Sequence, residues 1–188
     1  MDASKVTAGK PKITGAVYRA PLGTTLPISV TADLNSAFKE MGYVSDAGVV
    51  NSNSPSNTAI KAWGGDTVLD VQTDKPDTYK MAFIEATNEE VLKMVYGDSN
   101  VSGSLEAGLT IRANSDEQEE QCIVIDMMLK NGAAKRIVLP QCKVTAVGDI
   151  TYADGSAVAY DTTLSCHPYA DWDGDTHREY ILENAPTL

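Results

Sequence analysis

The sequence predicts a mainly β protein: two packed antiparallel β-sheets in a sandwich or barrel-like arrangement, flanked by one or two short α-helices. Three observations predict this class. Residues 121–130 and 135–147 are strand-like runs separated by Asn131-Gly132, the residue pair favoured where a tight hairpin turn needs positive φ. Residues 68–72 and 78–84 flank the turn signal Asp74-Lys75-Pro76-Asp77 and read as a further hairpin. One helix, over residues 87–97, carries clear start and stop signals at both ends.

The elements follow in chain order. Residues 1–12 contain Lys, Gly and Pro without periodicity and read as an N-terminal arm. The β-domain is expected over residues 13–168. Residues 13–19 form a short strand, stopped by Ala20-Pro21-Leu22-Gly23. Residues 33–41 read as a short helix, because Leu34, Ala37, Phe38 and Met41 recur at helical spacing and Gly42 supplies a stop. Residues 45–58 contain Asn51, Ser52, Asn53, Ser54, Pro55, Ser56 and Asn57, too polar a run to pack, and are expected to be a mobile loop.

Thr87-Asn88-Glu89-Glu90 fits a capping box, with the Thr87 hydroxyl accepting from the amide three residues on and Glu90 reaching back. Val91, Leu92 and Val95 then form an apolar stripe that Gly97 ends. A helix this short must pack on a sheet. On the strand at 121–130, Ile123, Ile125, Met127 and Leu129 share one face. Pro140 in the partner strand marks an edge or a bulge. A last strand over 157–166 follows the Asp154-Gly155 turn, and residues 169–188 read as a C-terminal arm or short closing segment.

Composition bounds the function. The chain has 188 residues, enough for one domain with one sizeable core, and 43% hydrophobic content is ordinary for such a domain. The formal net charge of -11 argues against direct binding to nucleic-acid phosphates, which needs clustered Lys and Arg. Acidity also keeps a protein soluble. No apolar run approaches a membrane span or an h-region, so cytoplasmic synthesis without a membrane anchor is the default expectation. Three scattered cysteines, Cys122, Cys142 and Cys166, are too few for a disulfide framework and read as core filler in a reducing compartment.

Catalytic chemistry finds no residue to stand on. Cys166 and His167 are neighbours on a strand and point to opposite faces, so they make no thiolate–imidazole pair. Asp171-Trp172-Asp173-Gly174-Asp175 resembles the opening of a calcium loop, but its glycine comes too early and Leu182 stands where a Glu should. It reads as a solvated acidic turn. Asp116-Glu117-Gln118-Glu119-Glu120 is a charged flank that guards a strand against edge-to-edge aggregation. The expectation is a non-enzyme with no metal site and no cofactor.

The order of features resembles siphophage major tail proteins, also called tail tube proteins. The residues that carry the resemblance are Gly15-Ala16-Val17-Tyr18-Arg19-Ala20-Pro21-Leu22-Gly23-Thr24-Thr25-Leu26-Pro27 and Ala37-Phe38-Lys39-Glu40-Met41-Gly42-Tyr43-Val44-Ser45. Ile60-Lys61-Ala62-Trp63-Gly64-Gly65-Asp66 and the run from Ile84 through Thr87-Asn88-Glu89-Glu90 to Gly97 complete it. The resemblance implies six subunits per ring, with inner strands of neighbours continuing one another into a barrel around a lumen. It implies rings stacked into a tube through loops and terminal arms, so residues 51–57 become candidates for an inter-ring contact. The implied partners are further copies of the chain, a tape-measure protein, and tail tip and terminator proteins. DNA would pass without specific binding, and an acidic subunit suits such a pore. Asp66 and Asp70 are the expected lumen-facing carboxylates. The runner-up readings are the tube subunit of a contractile injection system and a carbohydrate- or receptor-binding β-sandwich of a virion.

Overall fold

The computed structural model describes residues 5–11, 16–130 and 132–183. Its strands in chain order are β1 (Gly9–Pro11), β2 (Val17–Pro21), β3 (Lys39–Glu40), β4 (Val44–Asn53), β5 (Ser56–Lys61), β6 (Thr67–Asp74) and β7 (Asp77–Phe83). The helix α1 (Glu89–Tyr96) follows, then β8 (Val101–Ser104), β9 (Gly108–Ile111), β10 (Gln121–Leu129), β11 (Ala134–Val147), β12 (Tyr160–Cys166) and β13 (Arg178–Leu182). Nine strands join into one antiparallel sheet of order β3-β2-β10-β11-β12-β7-β4, with β1 also on β10 and β13 also on β11. β5-β6 and β8-β9 are separate two-stranded ribbons. The class is mainly β, as expected, and the sheet does not close into a barrel within one chain.

β11 is the backbone of this sheet. Its first half pairs with β10 and β13, its second with β12. Between Ile123 and Gln121 of β10 the register slips, so Pro140 sits in a bulge where its missing N–H costs no ladder bond. The β10–β11 hairpin forms at the expected place, with Leu129 N donating to the Ala133 carbonyl and Gly132 at φ +86. Asn131 lies outside the described residues, as do Ile13 to Gly15 of the first expected strand, which is observed as β2.

Alternation on β10 divides two apolar clusters. Ile123 and Ile125 join Val17, Leu139, Leu164, Tyr79, Met81 and Phe83 on the face that receives Val91, Leu92, Met94 and Val95 of α1. At about 1.5–3 kcal/mol for each fully buried aliphatic side chain, this contact supplies what an eight-residue helix lacks alone. Cys122 and Val124 face the opposite way, under Phe38, Leu34, Leu26, Trp172 and Tyr180. All three cysteines are buried free thiols.

That second face is held by a buried ion pair. Arg136 Nε and Nη2 donate to Asp126 Oδ1 and Oδ2 at 2.7 and 2.8 Å, and Nη1 donates to the carbonyls of Ser29 and Ala32 at 3.1 and 2.6 Å. The side chains are only 4% and 1% exposed. The pair therefore ties the 22–38 loop to the centre of the sheet.

Four expectations are corrected. No helix forms over 33–41: Asn35 caps a turn instead, its side chain accepting from Ala37 N and its carbonyl from Phe38 N, after which β3 begins. A short polar side chain competing for backbone donors overrides the helical spacing of the apolar residues. The capping box is shifted by one residue. Asn88, not Thr87, is the N-cap and accepts from Glu90 N, while Glu90 turns away to Arg19 and Lys93. The expected β6–β7 hairpin is absent, because β6 pairs with β5 and β7 pairs with β4 and β12. The polar run at 45–58, expected as a loop, is instead most of β4 and the start of β5. Its ladder bonds to β7 and β6 need no apolar side chains, so composition alone misjudged it.

The C-terminal stretch is the closing-segment alternative rather than a free arm over its described part. A 3-10 turn at Ala170–Trp172 buries Trp172 against Tyr169, with the Arg178 guanidinium 4.5 Å over the indole, and β13 then adds to β11. The acidic turn is built around Asp173 at φ 57 and Gly174 at φ 87, and Asp175 accepts from Arg178. No helix among the described residues is long and apolar enough to cross a membrane.

Candidate assembly surfaces

β4, β5, β6 and β7 form one long ribbon. β4 pairs with β7 down to Asn53 opposite Asp77, and β5 continues against β6 from Ser56 opposite Asp74. Between these two rungs lie Ser54-Pro55 on one side and Lys75-Pro76 on the other. The ladder is thus interrupted at one level on both strands, each time by a proline that has no N–H to donate. Beyond that level every residue of β5 and β6 is exposed. We call β5, β6 and their connecting turn the arm.

The arm is amphipathic without a partner. Ile60 faces Leu69 and Thr58 faces Val71 across the ladder, which places Ile60, Leu69 and Val71 on one side of the ribbon. Their exposures are 50%, 53% and 42%. At the tip, Trp63 projects fully into solvent beside Gly64 and Gly65, which adopt φ +124 and +99. A two-stranded ribbon with its apolar side in water is marginal by itself, and a cluster of this kind marks a contact surface.

The arm's root is clamped. Asp77 is 2% exposed and spends both carboxylate oxygens there. Oδ1 accepts from Asn51 Nδ2 at 2.8 Å, and Oδ2 accepts from Thr176 Oγ1 at 2.6 Å and lies 2.6 Å from His177 Nδ1. Burial raises the Asp77 pKa, but the hydrogen bonds from Thr176, His177 and Asn51, with the His177 charge, outweigh it and leave the group below the ordinary carboxylate value. His177 also meets the buried Tyr79 ring edge-on at 5.5 Å. The clamp joins β4, β7 and the C-terminal segment at one point.

The second surface is the part of the sheet formed by β4, β7, β12 and the second half of β11. Among the described residues, β4 pairs only with β7, and β11 beyond Cys142 pairs only with β12. This four-stranded portion therefore ends in an unpaired edge on each side. Its outer face is mainly polar, with Val50 exposed on it. Rows such as Ser52, Thr78, Ser165, Lys143 and Val50, Lys80, Thr163 cross it in register. Both lysines are neutralised: Lys80 pairs with Asp161 at 2.9 Å and Lys143 pairs with Glu117.

The third surface is a groove of about 530 Å³ between β1, the start of β4 and the end of β10. Apolar walls come from Pro11, Ala16, Val44, Val49, Ile125 and Met127; Lys10 and Asp46 stand at it as charged groups, and Asp126 also lines it, its carboxylate held by Arg136. It owes its room to a bulge in β4, where Val44 pairs with Phe83 and Val49 with Met81, and Gly48 takes φ +70.

The sequence-predicted site residues distribute over these surfaces. Asn51, Ser52 and Asn53 lie in β4 at the arm's root, Ser54 and Pro55 at the ladder break, and Ser56 and Asn57 in β5. Asp70 lies within β6, and Asp66 precedes it at the tip, where its carbonyl accepts from Ala62 N. Residues 51–57 and Asp70 thus belong to one ribbon, whereas Asp66 and Asp70 are not on the polar sheet face. Sequence reasoning missed the Asp77 clamp, whose partners come from residues 26 and 100 positions away. It also passed over Trp63 as a contact residue. No cluster of His, Cys, Asp or Glu able to hold a metal ion occurs among the described residues.

The chain combines a long exposed ribbon with an open-edged sheet, and the family model described as phage tail tube protein matches residues 3–185. The chain belongs to the phage tail tube protein family. Among solved structures, it is similar to the tube-terminating cap of the anti-feeding prophage, at 9% identity and a TM-score of 0.41, over 97% of this chain and 99% of that one. No curated protein matches. As a tail tube protein the chain is a structural component of the phage tail.

Proposed function

We propose that this tail tube protein is the repeating subunit of a non-contractile tail, forming six-membered rings that stack around a lumen, and that it performs no catalysis. One observation carries the reading: the four-stranded sheet portion has an unpaired edge on each side and a polar outer face with no unpaired lysine. Joined edge to edge, such portions close into a barrel and remove their edges. At about 4.8 Å between strands and about 40° of tilt, six copies give a backbone diameter of roughly 48 Å. Four copies would give only about 32 Å, which side chains on both walls would narrow to little more than a duplex.

In this reading the lumen is lined by Thr78, Lys80, Asp161, Thr163, Ser165 and Lys143. Hydroxyls and neutralised lysines offer phosphates no free cation, so DNA passes without being held. A tape-measure protein occupies the lumen beforehand, and tail tip and terminator proteins cap the ends. Asp66 and Asp70 reach the lumen only where arm tips rim it. Residues 51–57 serve assembly by launching the arm toward a neighbouring ring. Negative-stain microscopy of concentrated protein tests the reading: six-fold rings or tubes are expected, and a monomer persisting at every concentration would overturn it.

A further inference from the structure

Resting on that reading, we propose that the arm tip of one copy docks in the β1–β4–β10 groove of another, with Trp63 as the inserted anchor. Trp63 is 107% exposed, and its arm also exposes Ile60, Leu69 and Val71. Keeping an indole and three aliphatic side chains in water is costly unless assembly covers them. The groove has the complementary character: about 530 Å³, walls of Pro11, Ala16, Val44, Val49, Ile125 and Met127, and an opening made by the β4 bulge. Charges match as well. Lys61 and Asp66 flank the tip, and Asp46 and Lys10 stand at the groove, so each end presents one cation and one anion to the other.

The chain cannot satisfy its own groove. Tip and bulge lie at opposite ends of the same ribbon, roughly 50 Å apart along it at about 3.3 Å per residue. The contact is therefore between copies, and it joins two different surfaces. A head-to-tail contact closes into a ring or propagates along an axis, and one made between stacked rings propagates along the tube.

The test uses the full-length chain. Trp172 is buried in the monomer, so a shift in tryptophan emission on polymerisation reports Trp63. A blue shift is expected. Trp63→Ala should remain a folded monomer and raise the concentration needed for polymerisation about thirtyfold or more, the effect of losing one aromatic anchor. Ala47→Trp, at the exposed groove rim, should do the same by filling the groove. Mixing the two variants should restore single pairwise contacts, because one keeps its groove and the other its tip. In the double variant with Trp63→Cys and Ala47→Cys, oxidation should give a ladder of cross-linked chains. Tubes that form at wild-type concentration from Trp63→Ala, with no emission shift in the wild type, would overturn the docking while leaving the tube intact. A wild-type chain that never polymerises would overturn both.

Discussion

The body and the arm are built from the same antiparallel ladder and differ in what covers them. In β7 every second side chain is buried, and Tyr79, Met81 and Phe83 lie under α1 and β10 neighbours. In β5 and β6, the continuation of the same ribbon, every residue is exposed. Backbone hydrogen bonds are equally available to both, and their net contribution is small because water competes for them. What separates the two regions is apolar burial. The body carries its own apolar core, and the arm holds its shape by continuity with it.

That contrast can be broken or sharpened by substitution. The largest effect is expected in the body at Asp126→Ala, which leaves the 4%-exposed Arg136 guanidinium without its carboxylate; a loss of about 3–5 kcal/mol should appear in urea unfolding. Next comes the clamp between the regions. Asp77→Ala removes an acceptor from Asn51, Thr176 and His177 and should cost about 2–3 kcal/mol by the same measurement.

The clamp also carries a pH signature. Because the folded Asp77 carboxyl titrates below its unfolded value of about 3.9, its contribution is complete above that pH and is lost as pH falls through the folded value. Stability curves of wild type and Asp77→Asn should therefore converge in acid and be fully separated above about pH 4. A smaller effect tests the helix start: Asn88→Ala should lower stability by about 1 kcal/mol, and Thr87→Ala by much less, in thermal melts. The smallest effect belongs to the arm. Leu69→Ser should change monomer stability by no more than about 0.5 kcal/mol while reducing tube yield in sedimentation.

How much of this was legible in sequence follows the same division. The body was readable because burial writes alternation into it: Ile123, Ile125 and Leu139 announce their strands, Val91, Leu92 and Val95 their helix, and Asn131-Gly132 the hairpin. The arm was half readable. Val68-Leu69-Asp70-Val71 signals a strand, but its partner at 56–61 is polar, and a strand covered by nothing need not alternate. Pro76 and its acidic neighbours imitate a hairpin turn, so the ribbon's continuation was mistaken for its end. The 33–41 segment shows the reverse failure, since Leu34, Ala37 and Phe38 are spaced for a helix yet pack from a turn that Asn35 imposes. The clamp was invisible because Asp77 meets His177 only after the sheet is folded, and the two free edges were invisible because an unmade pair leaves no pattern.

Pro55 and Pro76, on opposite strands of the gap between the two ladders, act as a firebreak. An exposed tip frays first, and unzipping travels along a ladder one hydrogen bond at a time. Here it arrives at a gap, with the Asp77 clamp directly behind it, so disturbance of the outer ribbon stops before it reaches the main sheet. The outer hairpin can thus move without loosening the strands of the main sheet.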